Sequence, residues 1–234
     1  MNFTVTAIKN LCISVFLTAA LMLAMFLFKV EIEFNNAVIF SILATISGVT
    51  YLLIIRDPKN YTGFYFGIIS SACLGIQFAI LKSFDLTFLY YFIFIPFQYA
   101  AIVNWRKSKN AENQVFNPQF LPFGRQIFFF SIFVLIVVLD YVFASFCLPN
   151  FKNEPFFGQF LIKTVFAIMI SSSILANYLM IGKKLDTWLY WLLYSASAIV
   201  SAVIINNHFN LLLFIFFLII NALSFVSWLK IRKN

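Results

Sequence analysis

Apolar runs of similar length alternate along the chain with short polar or basic connections. A helix needs roughly 20 consecutive apolar residues to cross a hydrocarbon core of about 30 Å. The alternation therefore predicts eight transmembrane helices, at about residues 8–29, 36–55, 61–81, 86–105, 125–148, 157–181, 187–205 and 210–229. The predicted fold class is an all-α polytopic membrane protein, with a sizeable polar connection only at residues 106–124.

Composition points to the same class. Of 234 residues, 63% are hydrophobic, 10% are charged and 33 are Phe. A water-soluble domain of this composition would expose a continuous apolar surface. The net charge of +8 is therefore not read as nucleic-acid binding, because basic residues in membrane proteins mark cytoplasmic loops and anionic lipid contacts.

The distribution of Lys and Arg predicts the orientation. If both termini are cytoplasmic, twelve of the sixteen basic residues lie inside, and only Lys29, Lys82 and Lys152 lie outside. The sixteenth, Lys163, falls within a helix. This asymmetry follows the positive-inside rule. We therefore expect a multi-pass protein with cytoplasmic termini, whose first apolar run is a retained helix and not a cleaved signal peptide.

An internal repeat organises the chain. Residues 36–106 and 157–230 each predict three helices, the last ending in Trp and a basic residue, with one linker helix between the two sets. The predicted organisation is an N-terminal helix (1–35), a first repeat (36–106), a cytoplasmic loop with the linker helix (107–156), and a second repeat with a basic tail (157–234). Parallel repeats of this kind build transporters whose substrate site lies near the membrane midplane between them. The alternative is chance similarity among apolar helices.

The start of the seventh predicted helix is the leading candidate for a binding site. Trp188 and Trp191 are three residues apart and share one helix face, and Tyr194 and Ser195 continue a polar stripe inward. Membrane tryptophans are commonly interfacial anchors, which is the alternative interpretation. An aromatic wall with polar groups beneath it is typical of a site that stacks on a flat ring and hydrogen-bonds its substituents.

Other polar residues fall inside predicted helices. Gln98 and Asn221 are expected to face the bundle interior, as helix–helix hydrogen bonds or as substrate contacts. Asp140 and Lys163 are expected to form an ion pair, with proton coupling through Asp140 as the alternative.

No catalytic or nucleotide-binding motif accompanies these residues. The sequence has no phosphate-binding Gly loop, no metal-ligand spacing and no Ser–His–Asp set. We therefore predict that the protein is not an enzyme and carries no cofactor and no metal.

Four segments together have a recognisable pattern: Asp186-x-Trp188-x-x-Trp191 with Ser195, Pro96-x-Gln98 followed by Trp105, Ile174 to Met180, and Phe64 to Ser70. They resemble segments of the PnuC-type vitamin transporters, whose best-known members move nicotinamide riboside. The resemblance covers residues 36–230. Ser70 and Ser195 stand where the family usually has asparagine, and Asn177 stands where it has glutamine. These departures leave the identity of the vitamin open.

The resemblance implies a function and a set of site residues. It implies facilitated diffusion of nicotinamide riboside, cytoplasmic phosphorylation that traps the solute, a homotrimer, and residence in the bacterial cytoplasmic membrane. Thiamine, riboflavin and deoxynucleosides are the alternative solutes. The expected substrate-binding residues are Trp188, Trp191, Gln98, Ser195, Asn177, Tyr194, Asn221 and Ser70.

The sequence is also compatible with two other hypotheses. One is a vitamin-capturing membrane subunit that depends on separate ATPase partners. The other is a non-transporting membrane scaffold, in which the polar stripe only joins helices.

Overall fold

The structure is a computed structural model that describes residues 3–27, 35–58, 60–110, 118–147, 156–204 and 208–233. Its helices are α1 (Phe3–Leu27), α2 (Asn36–Ile55), α3 (Gly63–Ile80), α4 (Phe84–Phe88), a π-helical segment (Leu89–Phe94), α5 (Ile95–Asn110), α6 (Phe123–Cys147), α7 (Phe156–Ile181), α8 (Asp186–Ile204) and α9 (His208–Lys233). These described ranges contain no β-strand. The predicted all-α fold of eight long helices is confirmed, because α4, the π segment and α5 form one continuous rod.

Seven of these helices, within the described residues, are long and apolar enough to cross a membrane. In α1 the apolar part found, Ala7–Ala20, is shorter. Helices suit lipid because each satisfies its backbone hydrogen bonds within itself. Helix α9 continues to Lys233, four residues past the predicted end, so the basic tail extends the last helix.

The continuous helix from Phe84 to Asn110 contains a wide turn that the sequence pattern did not predict. Leu89–Phe94 is π-helical, and the backbone N–H of Ile95 donates to the carbonyl of Tyr90, five residues back. Pro96 follows directly, and a proline inside a helix removes a donor and clashes with the carbonyl four residues before it. The wider turn relieves that clash, and insertions of this kind are frequent at functional sites.

The chain forms two compact units. Unit 1 comprises Met1–Pro118, Met180–Lys183 and Val226–Asn234. Unit 2 comprises Gln119–Leu179 and Lys184–Phe225.

In unit 1 a buried hydrogen bond joins α1 to α2, and a glycine brings α3 close to α2. The Thr50 hydroxyl donates to the Ser14 hydroxyl over 2.7 Å, and both side chains are fully buried. A Cβ added to Gly63 would lie 2.7 Å from the Ile55 side chain and 3.0 Å from the Tyr51 carbonyl. Only glycine allows this approach, so α3 begins directly against the end of α2.

An aromatic cluster closes the same end of unit 1. The Trp105 ring lies 4.8 Å from the Phe64 ring and 6.0 Å from the Trp228 ring, measured between centroids. The Trp105 indole N–H donates to the carbonyl of Met180 over 2.9 Å, and that of Trp228 donates to Ile55 over 3.4 Å. Both indoles therefore donate to carbonyls in the last turn of a helix, which have no hydrogen-bond partner within the helix itself.

Two helices end in the same kind of C-cap, in which a lysine has the left-handed backbone conformation. Lys82 and Lys183 have φ of 59° and 53°. After α7, the N–H of Lys183 bonds to the Met180 carbonyl and that of Lys184 bonds to the Leu179 carbonyl. This pair of bonds is the Schellman motif, which usually has glycine where Lys183 stands.

In unit 2 the Asp186 carboxylate fixes the start of α8. It accepts hydrogen bonds from the Leu121 backbone N–H over 2.7 Å and from the Gln126 side chain over 3.1 Å. Its negative charge also suits a helix N-terminus. One residue on, the buried Thr187 hydroxyl donates to the Ala176 carbonyl of α7 over 2.6 Å. These bonds set the rotation of α8, and with it the faces that carry its tryptophans.

The expected ion pair between Asp140 and Lys163 is not formed. Asp140 instead accepts a hydrogen bond from the Ser171 hydroxyl over 3.0 Å. Ser171 lies eight residues beyond Lys163 in α7, which is about 12 Å along the helix axis. The carboxylate therefore meets a neutral hydroxyl, and the sequence-based pairing was wrong because residue depth alone does not decide which groups meet.

Candidate functional site

Four of the predicted site residues come together in unit 2. The Asn221 side-chain amide of α9 donates to the Ser195 hydroxyl over 2.9 Å and to the Trp191 carbonyl over 3.3 Å. Tyr194 packs edge-on against Trp191, with ring centroids 5.5 Å apart. We call these residues, Trp191, Tyr194, Ser195 and Asn221, the tryptophan cluster. Asn221 and Ser195 are almost completely buried, so their hydrogen bond joins α8 to α9 in an apolar surrounding.

Two polar atoms of the tryptophan cluster have no hydrogen-bond partner among the described residues. They are the indole Nε1–H of Trp191, a donor, and the side-chain Oδ1 of Asn221, an acceptor. Leaving such a buried group unpaired costs about 1–3 kcal/mol. The cluster therefore offers a donor and an acceptor that no other described residue uses, beside an aromatic ring.

Trp188 lies one turn before Trp191 and is fully buried. A tryptophan that anchors a protein in the interfacial region would face lipid, so the anchor interpretation is wrong for this residue. Burial at the start of α8 follows from the bonds of Asp186 and Thr187, which turn this face of the helix inward.

Gln98 lies in unit 1, in a second polar group. Its amide Nε2 donates to the Ser71 hydroxyl over 3.1 Å, and its Oε1 is buried without a hydrogen-bond partner among the described residues. A Cβ added to Gly67 would lie 3.0–3.1 Å from the Gln98 amide atoms. We call Gly67, Ser71 and Gln98 the glutamine cluster. The missing side chain of Gly67 makes the space that the Gln98 amide fills.

The structure places Ser70 and Asn177 outside these two clusters. The Ser70 hydroxyl donates to the Ala44 carbonyl of α2 over 2.8 Å, so it faces another helix. The Asn177 amide donates to the Ser173 carbonyl one turn earlier in its own helix over 2.9 Å. Neither bond excludes a solute, but both side chains already have local partners.

Two residues that sequence reasoning missed belong to this description. Ser71, not Ser70, bonds Gln98, and the predicted repeat contained the signal: Ser71 follows Gly67 by four residues, as Ser195 follows Trp191. Ser224 lies almost one turn beyond Asn221, is fully buried, and its hydroxyl has no hydrogen-bond partner among the described residues.

This arrangement suits recognition and not covalent chemistry. The groups offered by the tryptophan cluster are an aromatic ring, amide atoms and hydroxyls. Sites of this character, mostly apolar with a few placed polar groups, bind small molecules. Within the described part of the chain, the helices and their buried polar clusters define an integral membrane protein with the features of a solute transporter.

A comparison with protein-family models identifies the transporter family. The model of the family described as "Nicotinamide mononucleotide transporter" matches residues 38–230. The chain belongs to this family and is a membrane transporter, not an enzyme. The resemblance to PnuC-type transporters is thereby confirmed, and the scaffold hypothesis is set aside.

A solved structure has the same fold. The chain superposes on the structure titled "Crystal structure of the Vitamin B3 transporter PnuC" with a TM-score of 0.66 and 17% sequence identity. The alignment covers 97% of this chain and 92% of that one. At this identity the likeness establishes the fold alone. No curated protein matches the chain significantly.

Proposed function

We propose that the protein imports nicotinamide riboside by facilitated diffusion. The observation that carries the proposal is the tryptophan cluster, where a donor and an acceptor are unpaired beside an aromatic ring. A nicotinamide group is a flat ring that bears a carboxamide, which itself has one donor end and one acceptor end. Its ring can stack on Trp191 while its carboxamide N–H donates to the Asn221 oxygen, and a ribose hydroxyl beyond the edge of the indole can accept from the Trp191 N–H.

The lack of positive charge favours the riboside over the mononucleotide. Neither the tryptophan cluster nor the glutamine cluster contains Lys, Arg or His. A buried phosphate dianion without a cationic partner would cost several kcal/mol, whereas ribose hydroxyls need only neutral partners. A phosphate added inside the cell would therefore prevent return through the same site. This is the physical basis for the proposed trapping by phosphorylation.

The proposal also includes the orientation of the protein in the membrane and its assembly into a homotrimer. The bias of Lys and Arg supports cytoplasmic termini in a bacterial cytoplasmic membrane. The family resemblance supports a homotrimer. A thiol-reactive, membrane-impermeant label on single cysteines introduced at residues 2 and 234 tests the orientation in intact cells, and light scattering of the purified protein tests the assembly.

Uptake into liposomes that contain the purified protein tests transport directly. We expect labelled nicotinamide riboside to equilibrate across the membrane without a pH or sodium gradient. Enclosing a nicotinamide riboside kinase and ATP should then raise the internal label above equilibrium. Accumulation that needs an imposed ion gradient would contradict facilitated diffusion, and equal uptake of the mononucleotide would contradict the charge argument.

A second candidate is the same transport of another flat solute. The serines at positions 70 and 195, where the family usually has asparagine, support this candidate because a hydroxyl recognises different groups from an amide. Competition by thiamine, riboflavin and deoxynucleosides in the same assay distinguishes the two. If one of these competes more strongly than unlabelled nicotinamide riboside, it is the solute.

A further inference from the structure

A groove with one basic end lies between α3 and α5 of unit 1. Its volume is about 360 Å³, and it is lined by Tyr65, Ile68, Tyr99, Ile102, Val103, Arg106 and Lys107. The residues from α5 follow the spacing of a single helix face. From Tyr99 to Arg106 the groove runs seven residues along α5, or about 10 Å.

The two ends of the groove differ in chemistry. Arg106 and Lys107 are the last two residues of the apolar span Leu86–Lys107, so their charges are at the membrane surface. Below them the lining is apolar, with Ile68, Ile102 and Val103. A ligand that fits both ends has a charged head and an apolar tail.

The basic pair is available to such a ligand. Both side chains are exposed, and neither forms a hydrogen bond or ion pair with another described residue. No acidic residue lines the groove. Tyr65, 48% exposed, adds a hydroxyl at the basic end, and Tyr99, 64% exposed, lies at the opposite end of the groove. Tyrosine is enriched near the membrane surface, where Tyr65 lies, because its ring lies in the apolar layer while its hydroxyl reaches the head groups.

The second repeat lacks these features at the corresponding positions. If Gly67 is aligned with Trp191 and Gln98 with Asn221, then Tyr65 corresponds to Leu189, Tyr99 to Ala222 and Arg106 to Leu229. Of the four polar groove residues only Lys107 has a polar counterpart, Lys230. General requirements of a membrane surface would act on both repeats alike, so this difference indicates a specific ligand of the first repeat.

We propose that this groove binds an anionic phospholipid. The phosphate pairs with the Arg106 guanidinium, which can hold two of its oxygens, and Lys107 adds a second positive charge. One acyl chain lies along Ile68, Ile102 and Val103. The charge pattern distinguishes this ligand from a zwitterionic lipid, whose net charge is zero.

Native mass spectrometry of the full chain in detergent tests the proposal. Phosphatidylglycerol and phosphatidylcholine with identical acyl chains are titrated against wild type and against Arg106→Gln/Lys107→Gln. We expect wild type to retain phosphatidylglycerol in preference to phosphatidylcholine, and the double variant to bind it about 30-fold more weakly. The charge-matched variant Lys230→Gln/Lys233→Gln should bind as wild type does.

Several outcomes would overturn the proposal. They are equal binding of the two lipids by wild type, equal loss in both double variants, or displacement of the lipid by soluble glycerol phosphate. A groove covered by a second copy of the chain would show as a changed mass in light scattering of the Arg106/Lys107 variant, with no lipid preference. If that variant does not fold, raising the salt concentration on wild type replaces it: screening should weaken the adduct, and an adduct insensitive to salt contradicts the proposal.

Discussion

The α3–α5 pair and the α8–α9 pair carry the same hydrogen bond but differ in the residue one turn before the serine. In one pair Gln98 donates to Ser71, 27 residues earlier, over 3.1 Å. In the other, Asn221 donates to Ser195, 26 residues earlier, over 2.9 Å. Seven residues beyond each amide is a tryptophan, Trp105 or Trp228, whose indole N–H satisfies a carbonyl in the last turn of a helix. These contacts occur in the same order in both pairs, and the repeat itself stays a prediction.

The difference lies at Gly67 and Trp191, which precede their serines by four residues. Gly67 leaves room for the longer amide of Gln98. Trp191 has a large ring, and the amide that bonds to Ser195, one turn beyond Trp191, is that of the shorter Asn221. The same backbone arrangement therefore holds a packed amide in one cluster and an aromatic surface in the other. Since only the second has a ring on which a flat solute can stack, we expect it to dominate the binding energy.

Removal of the Trp191 ring should have the largest effect. Stacking of a base on an aromatic side chain contributes roughly 1–3 kcal/mol, so Trp191→Ala should weaken binding of nicotinamide riboside by up to about 100-fold. Trp191→Phe keeps a ring but removes the donor, and it should cost about fivefold. Isothermal titration calorimetry measures both. Trp228→Phe is the matched control outside the cluster, and a loss of affinity there as large as in Trp191→Phe would contradict the assignment.

The next largest effect tests the space at Gly67. A methyl group there would meet the Gln98 amide at 3.0–3.1 Å, so Gly67→Ala should displace the amide from Ser71 and cost about 1–3 kcal/mol of stability. Thermal unfolding in detergent measures the change. Gly124→Ala is the control, because its added methyl group meets nothing within 4 Å. The shorter amide of the second repeat should restore stability in Gly67→Ala/Gln98→Asn; a double variant as unstable as Gly67→Ala would show that space for Gln98 is not the reason for the glycine.

The two serines should differ in their effect on affinity. Ser195→Ala removes an acceptor from the Asn221 amide, which frees that amide to turn, and should lower the affinity for nicotinamide riboside about fivefold. Ser71→Ala removes the corresponding acceptor of Gln98 and should lower the affinity less, because the glutamine cluster contains no aromatic ring. Equal losses in the calorimetric titration would mean that both clusters contribute alike to binding.

The smallest effect concerns pH and the lysine beside the Trp105 indole. The Lys183 ammonium lies 4.9 Å from the Trp105 ring centroid. Burial lowers the pKa of Lys183. Between that lowered pKa and the ordinary lysine pKa of about 10.4, the unfolded chain binds more protons than the folded chain does. Lys183 therefore makes a contribution to the free energy of unfolding that rises with pH.

Thermal unfolding across the alkaline range measures this contribution of Lys183 to stability. We expect the melting temperature of Lys183→Met to rise less with pH, or fall more, than that of wild type. Lys184→Met, the adjacent lysine, is the control and should follow wild type. Parallel curves for wild type and Lys183→Met would show that Lys183 has no linked titration in this range.

Sequence reasoning reached part of the candidate site and missed its partners. Trp191, Tyr194, Ser195 and Asn221 were predicted together, because polar and aromatic residues are conspicuous in apolar helices. Ser71 was missed in favour of its neighbour Ser70. Adjacent residues of a helix point about 100° apart, so an error of one residue selects a different face and a different partner. The Asp140–Lys163 pair was wrong for a related reason, since similar depth does not place two side chains on facing sides.

The sequence by itself determined the class of protein and the helices. Both depend on local quantities: the length of each apolar run must match the bilayer, and a helix in lipid must satisfy its own backbone. The tertiary structure decided which polar groups meet, where a glycine admits a neighbouring side chain, and where Pro96 widens the helix. These outcomes depend on helix rotation and on close approach, which are set by bonds between residues distant in the chain, such as Asp186 with Leu121. Hydrophobic pattern fixes the length of a helix, but it does not fix which side chain faces which neighbour.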